Sequence, residues 1–172
     1  MAGVLTRVLA HRTERDPESP HRFIDNWSEF GGPRDEFMAN TANITSRLRV
    51  IEEDFRSVDY ASLGKFNVYL FDGPHAEEDH RDGIVCALPA LAERLLLIVD
   101  DWNWLDIRLG TMRGLISSQL KIEAAIEIRT TMDDTHPRYT EHRAIGITDI
   151  SWRSSTAIAL RFIKVPGPQI RK

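Results

Sequence analysis

The sequence contains three short apolar segments that each end in aspartate: Phe23-Ile24 before Asp25, VYLF before Asp72, and LLLIV before Asp100 and Asp101. Continuous apolar strands that alternate with helices are typical of a mostly parallel sheet with helices on both faces. The carboxyl ends of such strands meet at one edge of the sheet, where ligands bind. We call the four aspartates the acidic rim, and we expect it to hold the chemistry of the chain.

The remaining segments predict a doubly wound α/β fold in a single domain, residues 1–172, of which residues 1–21 form an N-terminal helix and linker and residues 22–172 the α/β core. A short helix is predicted at 3–11 because its apolar residues share one helical face. The last two strands have no helix between them, which predicts an antiparallel hairpin with a long connection. The predicted strands are 23–24, 47–51, 67–71, 95–99, 121–129 and 156–165, and the predicted helices 34–46, 75–92 and 106–120.

Composition excludes several classes of partner. The net charge of -4 favours neither nucleic acid nor an anionic membrane, and no apolar stretch approaches membrane-spanning length. The single cysteine, Cys86, cannot form an internal disulfide, and its apolar surroundings indicate a buried, inert thiol. A cytoplasmic location is therefore the default expectation.

The most specific local motif is Asp72-Gly73-Pro74-His75. Gly73 permits close approach of a ligand to the backbone, and Pro74 suits the first turn of a helix. His75 would then lie beside Asp72 at the sheet edge. The alternative is a surface histidine at the start of a helix.

The pair Asp100-Asp101 follows a buried strand, where a carboxylate must be solvated, paired or bound to a cation. At the strand end both could reach one cation, with Asp72 as a third carboxylate. Three carboxylates and water suit a hard divalent ion such as Mg²⁺ or Ca²⁺. The alternative is that each acid caps the following helix. Trp102 and Trp104 form either a substrate-pocket wall or a partly buried aromatic staple.

Four segments in this order, FIDNWSEFGGP, RVIEEDF, VYLFDGPHAEED and LLLIVDDWNW, resemble the class I S-adenosylmethionine-dependent methyltransferase family. The likeness spans residues 22–130 and is greatest to a small bacterial group whose fourth strand ends in D-G-x-H and whose fifth ends in D-D. It implies a Rossmann-like fold with S-adenosylmethionine as cofactor.

The resemblance also implies residue roles. Asp25 would bind the ribose hydroxyls of the cofactor, and Asp54 with Phe55 would lie at the adenine, while Asp72 would also border the cofactor. A divalent ion, Mg²⁺ in the first instance, would be held by Asp72, Asp100 and Asp101, as in metal-dependent O-methyltransferases that act on sugar hydroxyls. His75 matches the general base of some of these enzymes.

The implied function is metal-assisted O-methylation of a small hydroxylated acceptor such as a sugar. One departure from the family is the missing strand and glycine-rich turn before Asp25, so the domain is expected to be truncated or rearranged at its N-terminus. Two alternatives stay open: a non-catalytic methyltransferase-like domain that no longer binds the cofactor, and a metal-dependent hydrolase or sugar-binding protein. Self-association into a homo-oligomer is also left open.

Overall fold

The structure is a computed structural model that describes residues 7–10, 21–29, 31–44, 47–129, 131–134 and 158–164, the first and last of these ranges as backbone only. The strands are β1 (Arg7–Ala10), β2 (His21–Ile24), β3 (Leu48–Ile51), β4 (Phe66–Phe71), β5 (Leu91–Val99), β6 (Leu120–Glu127) and β7 (Ile158–Lys164). The helices are α1 (Arg34–Asn40), α2 (Glu77–Ala87) and α3 (Leu105–Ser117), with short 3₁₀ turns at Ala42–Ile44, Tyr60–Leu63 and Leu88–Ala90.

The seven strands form one sheet in the order β3-β2-β1-β4-β5-β7-β6. β2 is parallel to β3, and β4 is parallel to β5. β1 is antiparallel to both of its neighbours, so β2 and β4 point the same way. β7 lies between β5 and β6 and is antiparallel to both. The predicted Rossmann-like α/β sheet with an antiparallel C-terminal hairpin is confirmed, and five of the seven strands point the same way, but the reversal of β1 leaves only two of the six neighbouring pairs parallel.

The helices cover both faces of the sheet. The connection from β2 through α1 leads to the edge strand β3, and the connection from β4 through α2 leads in the opposite direction, to β5. Because such crossovers are right-handed, the two helices lie on opposite faces. Phe37 of α1 stacks on Phe23 with ring centroids 4.1 Å apart, and the hydroxyl of Tyr69 in β4 donates to the carbonyl oxygen of Gly83 in α2 at 2.8 Å.

The prediction of a helix at 3–11 is wrong where the structure describes this segment, because Arg7–Ala10 is a strand. Between β2 and β4 the backbone N–H and C=O groups of both neighbours need partners, and only a strand supplies them on both sides. The spacing of the apolar residues is therefore overridden by pairing in the sheet. The predicted α/β core, residues 22–172, also leaves out this strand, although it lies inside the sheet.

Helices α2 and α3 pack so closely that glycine is required between them. A Cβ atom added at Gly110 would overlap the carbonyl oxygen of Glu77, and one at Gly114 would lie 2.9 Å from the carbonyl oxygen of Arg81. This contact fixes the start of α2 against α3. The loops that precede these two helices carry His75 and Asp101, so the packing also sets their separation.

Strand β5 begins at Leu91, four residues before the predicted start and within the range predicted as helix. Its buried residues alternate, with Leu95, Leu97 and Val99 at 2%, 1% and 0% exposure, while Glu93 and Arg94 interrupt the apolar run and are exposed. The long connection predicted between the last two strands lies almost wholly outside the described residues. Within the described ranges, none of the helices has the length and apolarity needed to cross a bilayer.

Candidate functional site

Asp72, His75 and Asp101 meet at the carboxyl ends of two neighbouring strands. Asp72 directly follows β4, and Asp101 follows β5 by two residues, while Phe71 and Val99 at the ends of these strands are paired. One potential ligand atom from each of the three side chains lies within 4.8 Å of the other two. All three residues are half-buried, so a solute has access to the group.

The His75 ring is held on two sides. Its Nε2–H donates to Oδ2 of Asp101 at 3.0 Å, and the ring lies edge-on to Trp104 with centroids 4.5 Å apart and planes at 84°. The hydrogen bond to Asp101 raises the pKa of His75 above its ordinary value, partial burial opposes this, and the charges of Asp101, Asp72 and Glu29 add to the rise. The imidazole is thus a fixed group whose proton affinity depends on the neighbouring carboxylates.

The backbone turn after β5 sets the direction of Asp101. Asp101 has a φ of 53°, a left-handed conformation that is uncommon for residues other than glycine and is often found at functional sites. Oδ1 of Asp100 accepts the Asp101 N–H at 2.9 Å, and the Asp101 carbonyl oxygen accepts the Trp104 N–H at 3.1 Å. The structure therefore places Asp100 beside the turn and outside the group of three; its assignment as a metal ligand stays a prediction.

Asp25 lies at the end of β2 and is 6% exposed. Its Oδ1 accepts the N–H of Trp27 at 2.7 Å, and its own N–H donates to the carbonyl oxygen of Ile51 at 3.1 Å. Trp27 has a φ of 57°. A second left-handed turn therefore follows Asp25. Strand β1 lies between β2, which ends before Asp25, and β4, which ends before Asp72.

Asp54 and Phe55 occupy different environments. Asp54 is exposed, and its Oδ1 accepts the N–H of Arg56 at 2.8 Å. Phe55 is 1% exposed and packs edge-on against Phe71, with centroids 5.6 Å apart. Phe55 is thus a core residue in this structure, and the role of either residue at an adenine ring stays a prediction.

The two tryptophans after the aspartate pair have separate roles. Trp102 is 4% exposed and its indole N–H donates to Glu127 at 2.7 Å, as expected of a buried staple. Trp104 lies against His75, as expected of a site wall. The sequence analysis did not identify Arg108, whose guanidinium donates to the carbonyl oxygens of Trp102 at 2.9 Å and Asn103 at 2.5 Å and so braces this loop; no motif signals it.

The donor set of the group is two carboxylates and one imidazole. Carboxylate oxygens suit Mg²⁺, Ca²⁺ and Mn²⁺, and imidazole suits Mn²⁺ less than it suits Fe, Zn or Cu. The residues therefore fit a divalent cation, with the carboxylates as the stronger attraction for a hard ion. With such an ion bound by the carboxylates alone, His75 would remain available to accept a proton.

Comparison with known proteins gives the family. The family model described as "Methyltransferase domain" matches residues 1–102. Among curated proteins, none matches the sequence significantly.

Solved structures agree with this fold. A Thermoplasma acidophilum protein assigned as a methyltransferase superposes with a TM-score of 0.52 at 12% identity, over 83% of this chain and 56% of its own length. A Klebsiella pneumoniae protein assigned as an O-methyltransferase gives 0.50 at 10% identity, over 84% of this chain and 61% of its own. The chain thus spans under two thirds of either neighbour. These structures share the fold of the chain, and the family model, which covers more than half of it, shows that the chain belongs to the methyltransferase domain family.

Proposed function

We propose that the chain is an S-adenosylmethionine-dependent O-methyltransferase that uses a hard divalent cation, Mg²⁺ or Mn²⁺, on a small hydroxylated acceptor such as a sugar. The observation that carries the proposal is the convergence of Asp72, His75 and Asp101 within 4.8 Å of one another at the edge of a methyltransferase-type sheet. Ligands of open α/β sheets bind at this edge.

In this proposal the residues that follow β4 and β5 divide cation binding and proton transfer between them. Asp72 and Asp101 hold the cation, and Asp100, the residue before Asp101, supplies a further carboxylate. A bound cation would lower the pKa of an acceptor hydroxyl. His75 accepts the hydroxyl proton, because its imidazole is held in place by Asp101 and Trp104 and histidine is suited to proton transfer near neutral pH.

On the cofactor side, Asp25 would accept hydrogen bonds from the ribose hydroxyls, while Asp54, Phe55 and Asp72 border the adenosine. S-adenosylmethionine would supply the methyl group, and the protein would orient it towards the acceptor oxygen. The buried position of Asp25 supports this role because a carboxylate shielded from water binds hydroxyl groups more strongly.

One observation favours a second candidate function, a methyltransferase-like domain without cofactor binding. β1 is antiparallel to β2 and β4. Its amino end, at Arg7, therefore lies beside the carboxyl end of β4, where it pairs with Phe71. A glycine-rich turn that followed β1 would therefore lie at the other end of the strands, away from Asp25 and Asp72.

Calorimetry separates the two functions. The purified chain is titrated with S-adenosylhomocysteine and, separately, with MnCl₂, alongside the variants Asp25→Ala and Asp72→Asn. The enzyme proposal requires that both ligands bind. Asp25→Ala should weaken only the binding of S-adenosylhomocysteine, and Asp72→Asn should weaken the binding of Mn²⁺. A folded chain that binds Mn²⁺ but not S-adenosylhomocysteine supports the second candidate, and a chain that binds neither overturns the enzyme proposal.

A further inference from the structure

The turn that carries Asp101 is shaped by local hydrogen bonds but needs other contacts to hold it beside His75. Its left-handed φ of 53° is a conformation that persists only where the surrounding structure enforces it. The bond from the Asp101 N–H to Asp100 and the bond from the Trp104 N–H to Asp101 both stay inside the turn. These bonds fix the shape of the turn, whereas its place in the molecule depends on contacts with other elements.

Arg108, in the first turn of α3, supplies such a contact. Its Nη1 donates to the carbonyl oxygens of Trp102 at 2.9 Å and Asn103 at 2.5 Å, and both of these residues are buried. Buried carbonyl groups need hydrogen-bond partners. A cation near the amino end of a helix opposes the helix dipole, so the position of Arg108 is explained by the two carbonyl oxygens that it binds.

Arg108 is held in turn by the segment that follows β6. Its Nη2 donates to the carboxylate of Asp134, which also accepts Nη2 of Arg129 at 3.0 Å. The side chains of Arg108 and Arg129 are only 16% and 15% exposed, and solvent screens partly buried ion pairs less than exposed ones. Asp134 thus anchors the guanidinium that holds the turn.

We propose that Arg108 is the residue that positions Asp101: it fixes the backbone of the turn after β5, and thereby the distance of the Asp101 carboxylate from Asp72 and His75. The proposal rests on the cation-binding role proposed above for Asp72 and Asp101. Its consequence is that the affinity for the cation depends on a residue that supplies no ligand atom.

Asp134 acts at one further remove. Its described side-chain contacts are with Arg108 and Arg129, so its influence on the turn passes through Arg108. The segment after β6 is thereby coupled to the cation site, although none of its described residues belongs to the group that converges there.

A second contact keeps the turn attached when Arg108 is replaced. The indole N–H of Trp102 donates to Glu127, the last residue of β6, at 2.7 Å. This bond holds a side chain of the turn, whereas Arg108 holds its backbone. Replacement of Arg108 should therefore displace Asp101 in a protein that remains folded.

Metal-free NMR tests the positioning directly. With EDTA present, the ring N–H signal of His75 reports its hydrogen bond to Asp101, and Arg108 does not contact this ring. Arg108→Ala should broaden or abolish the signal through faster exchange with water. Arg108→Lys keeps the charge but lacks the planar fork of donors, so it should restore the signal in part. Arg94→Ala, which removes another arginine paired with an acid, Glu123, is the matched control and should leave the signal unchanged.

Calorimetry with MnCl₂ tests the consequence for the cation. Arg108→Ala should weaken Mn²⁺ binding about tenfold, since groups that orient metal ligands contribute about 10–100-fold, and Arg108→Lys should recover part of the loss. Asp134→Asn should give a smaller loss, and no further loss in the Arg108→Ala background, because its effect passes through Arg108. Thermal unfolding followed by circular dichroism verifies that each variant is folded.

Three outcomes would overturn the proposal: an unchanged His75 signal in Arg108→Ala, an equal effect of Arg94→Ala, or a loss from Asp134→Asn that adds in full to that of Arg108→Ala. A wild type that binds no Mn²⁺ would refute the proposed cation site instead. The metal-free spectra would then still decide whether Arg108 positions Asp101.

Discussion

The imidazole of His75 donates to the carboxylate of Asp101 over 3.0 Å, which joins the loop after β4 to the turn after β5. The two residues are 26 positions apart in sequence and belong to different strand-helix connections. Their contact depends on the packing of α2 on α3, so a change between these helices should also alter the site.

The first expectation concerns the proton affinity of His75. Asp101→Asn replaces the carboxylate whose hydrogen bond, and then whose charge, raise the pKa of His75, so this pKa should fall in NMR titrations with EDTA present. Since the folded-state pKa lies above the unfolded value of about 6.5, the stability contributed by this pair is present below about pH 6.5 and is lost as the pH rises through the folded-state pKa. The stability difference between variant and wild type, measured by urea unfolding, should therefore shrink between pH 5.5 and 8.5. An unchanged pKa in the variant would contradict the contact.

The second expectation separates ligands from neighbouring acids. Asp72→Asn and Asp101→Asn should each weaken Mn²⁺ binding at least roughly tenfold in calorimetry, because even changes to groups that orient metal ligands cost about 10–100-fold. Asp106→Asn, an exposed acid at the start of α3, is the matched control for the loss of one nearby charge. Asp100→Asn decides whether the fourth rim acid is a ligand. Equal losses in all four variants would show only a general charge effect.

The third expectation concerns the contact between the helices. Gly110→Ala gains intrinsic helix propensity of about 1 kcal/mol but places a methyl group against the backbone of Glu77, and overpacking typically costs about 1–3 kcal/mol. Because backbone cannot move aside as a flexible side chain can, we expect net destabilisation in urea unfolding. Met112→Ala, on the exposed side of the same helix, should change stability far less. A stabilised Gly110→Ala would show that α2 and α3 are not in close contact.

The fourth expectation concerns Cys86. The structure leaves Cys86 half-buried rather than buried as predicted. This partial burial raises the pKa of its thiol, and the charge of Asp82 adds to the rise. Since the thiolate is the reactive form, iodoacetamide should modify the folded protein more slowly than the unfolded protein at pH 8, and the difference should narrow as the pH increases. Equal rates in both states would indicate an accessible, ordinary thiol.

The sequence was sufficient for the parallel part of the fold because that part depends on local signals. The apolar runs before Asp72 and Asp100 identify buried strands, and the rule that parallel strands share one edge brings Asp72 and Asp101 together. The alternation of β6 and β7 without an intervening helix predicts their hairpin. Each of these inferences needs only the chain itself and its periodicity.

The remainder depends on the sheet as a whole. Val8 and Leu9 suit a helix by spacing, yet the vacant central position of the sheet makes this segment a strand. Phe55 is buried because it packs against Phe71. Asp100 lies outside the group of Asp72, His75 and Asp101 because of the left-handed turn at Asp101, and no sequence motif encodes that turn. The early start of β5 is hidden because exposed Glu93 and Arg94 interrupt its pattern.

The reversed direction of β1 also changes how the sheet can assemble. Parallel neighbours must be joined by a crossover, whereas antiparallel neighbours can be joined by a direct return of the chain. The chain passes from Ala10 at the end of β1 to His21 at the start of β2, so these strands can pair over a short separation in sequence. Short-range contacts form sooner than long-range ones. The pairing of β1 with β2 at the centre of the sheet can therefore form early in folding.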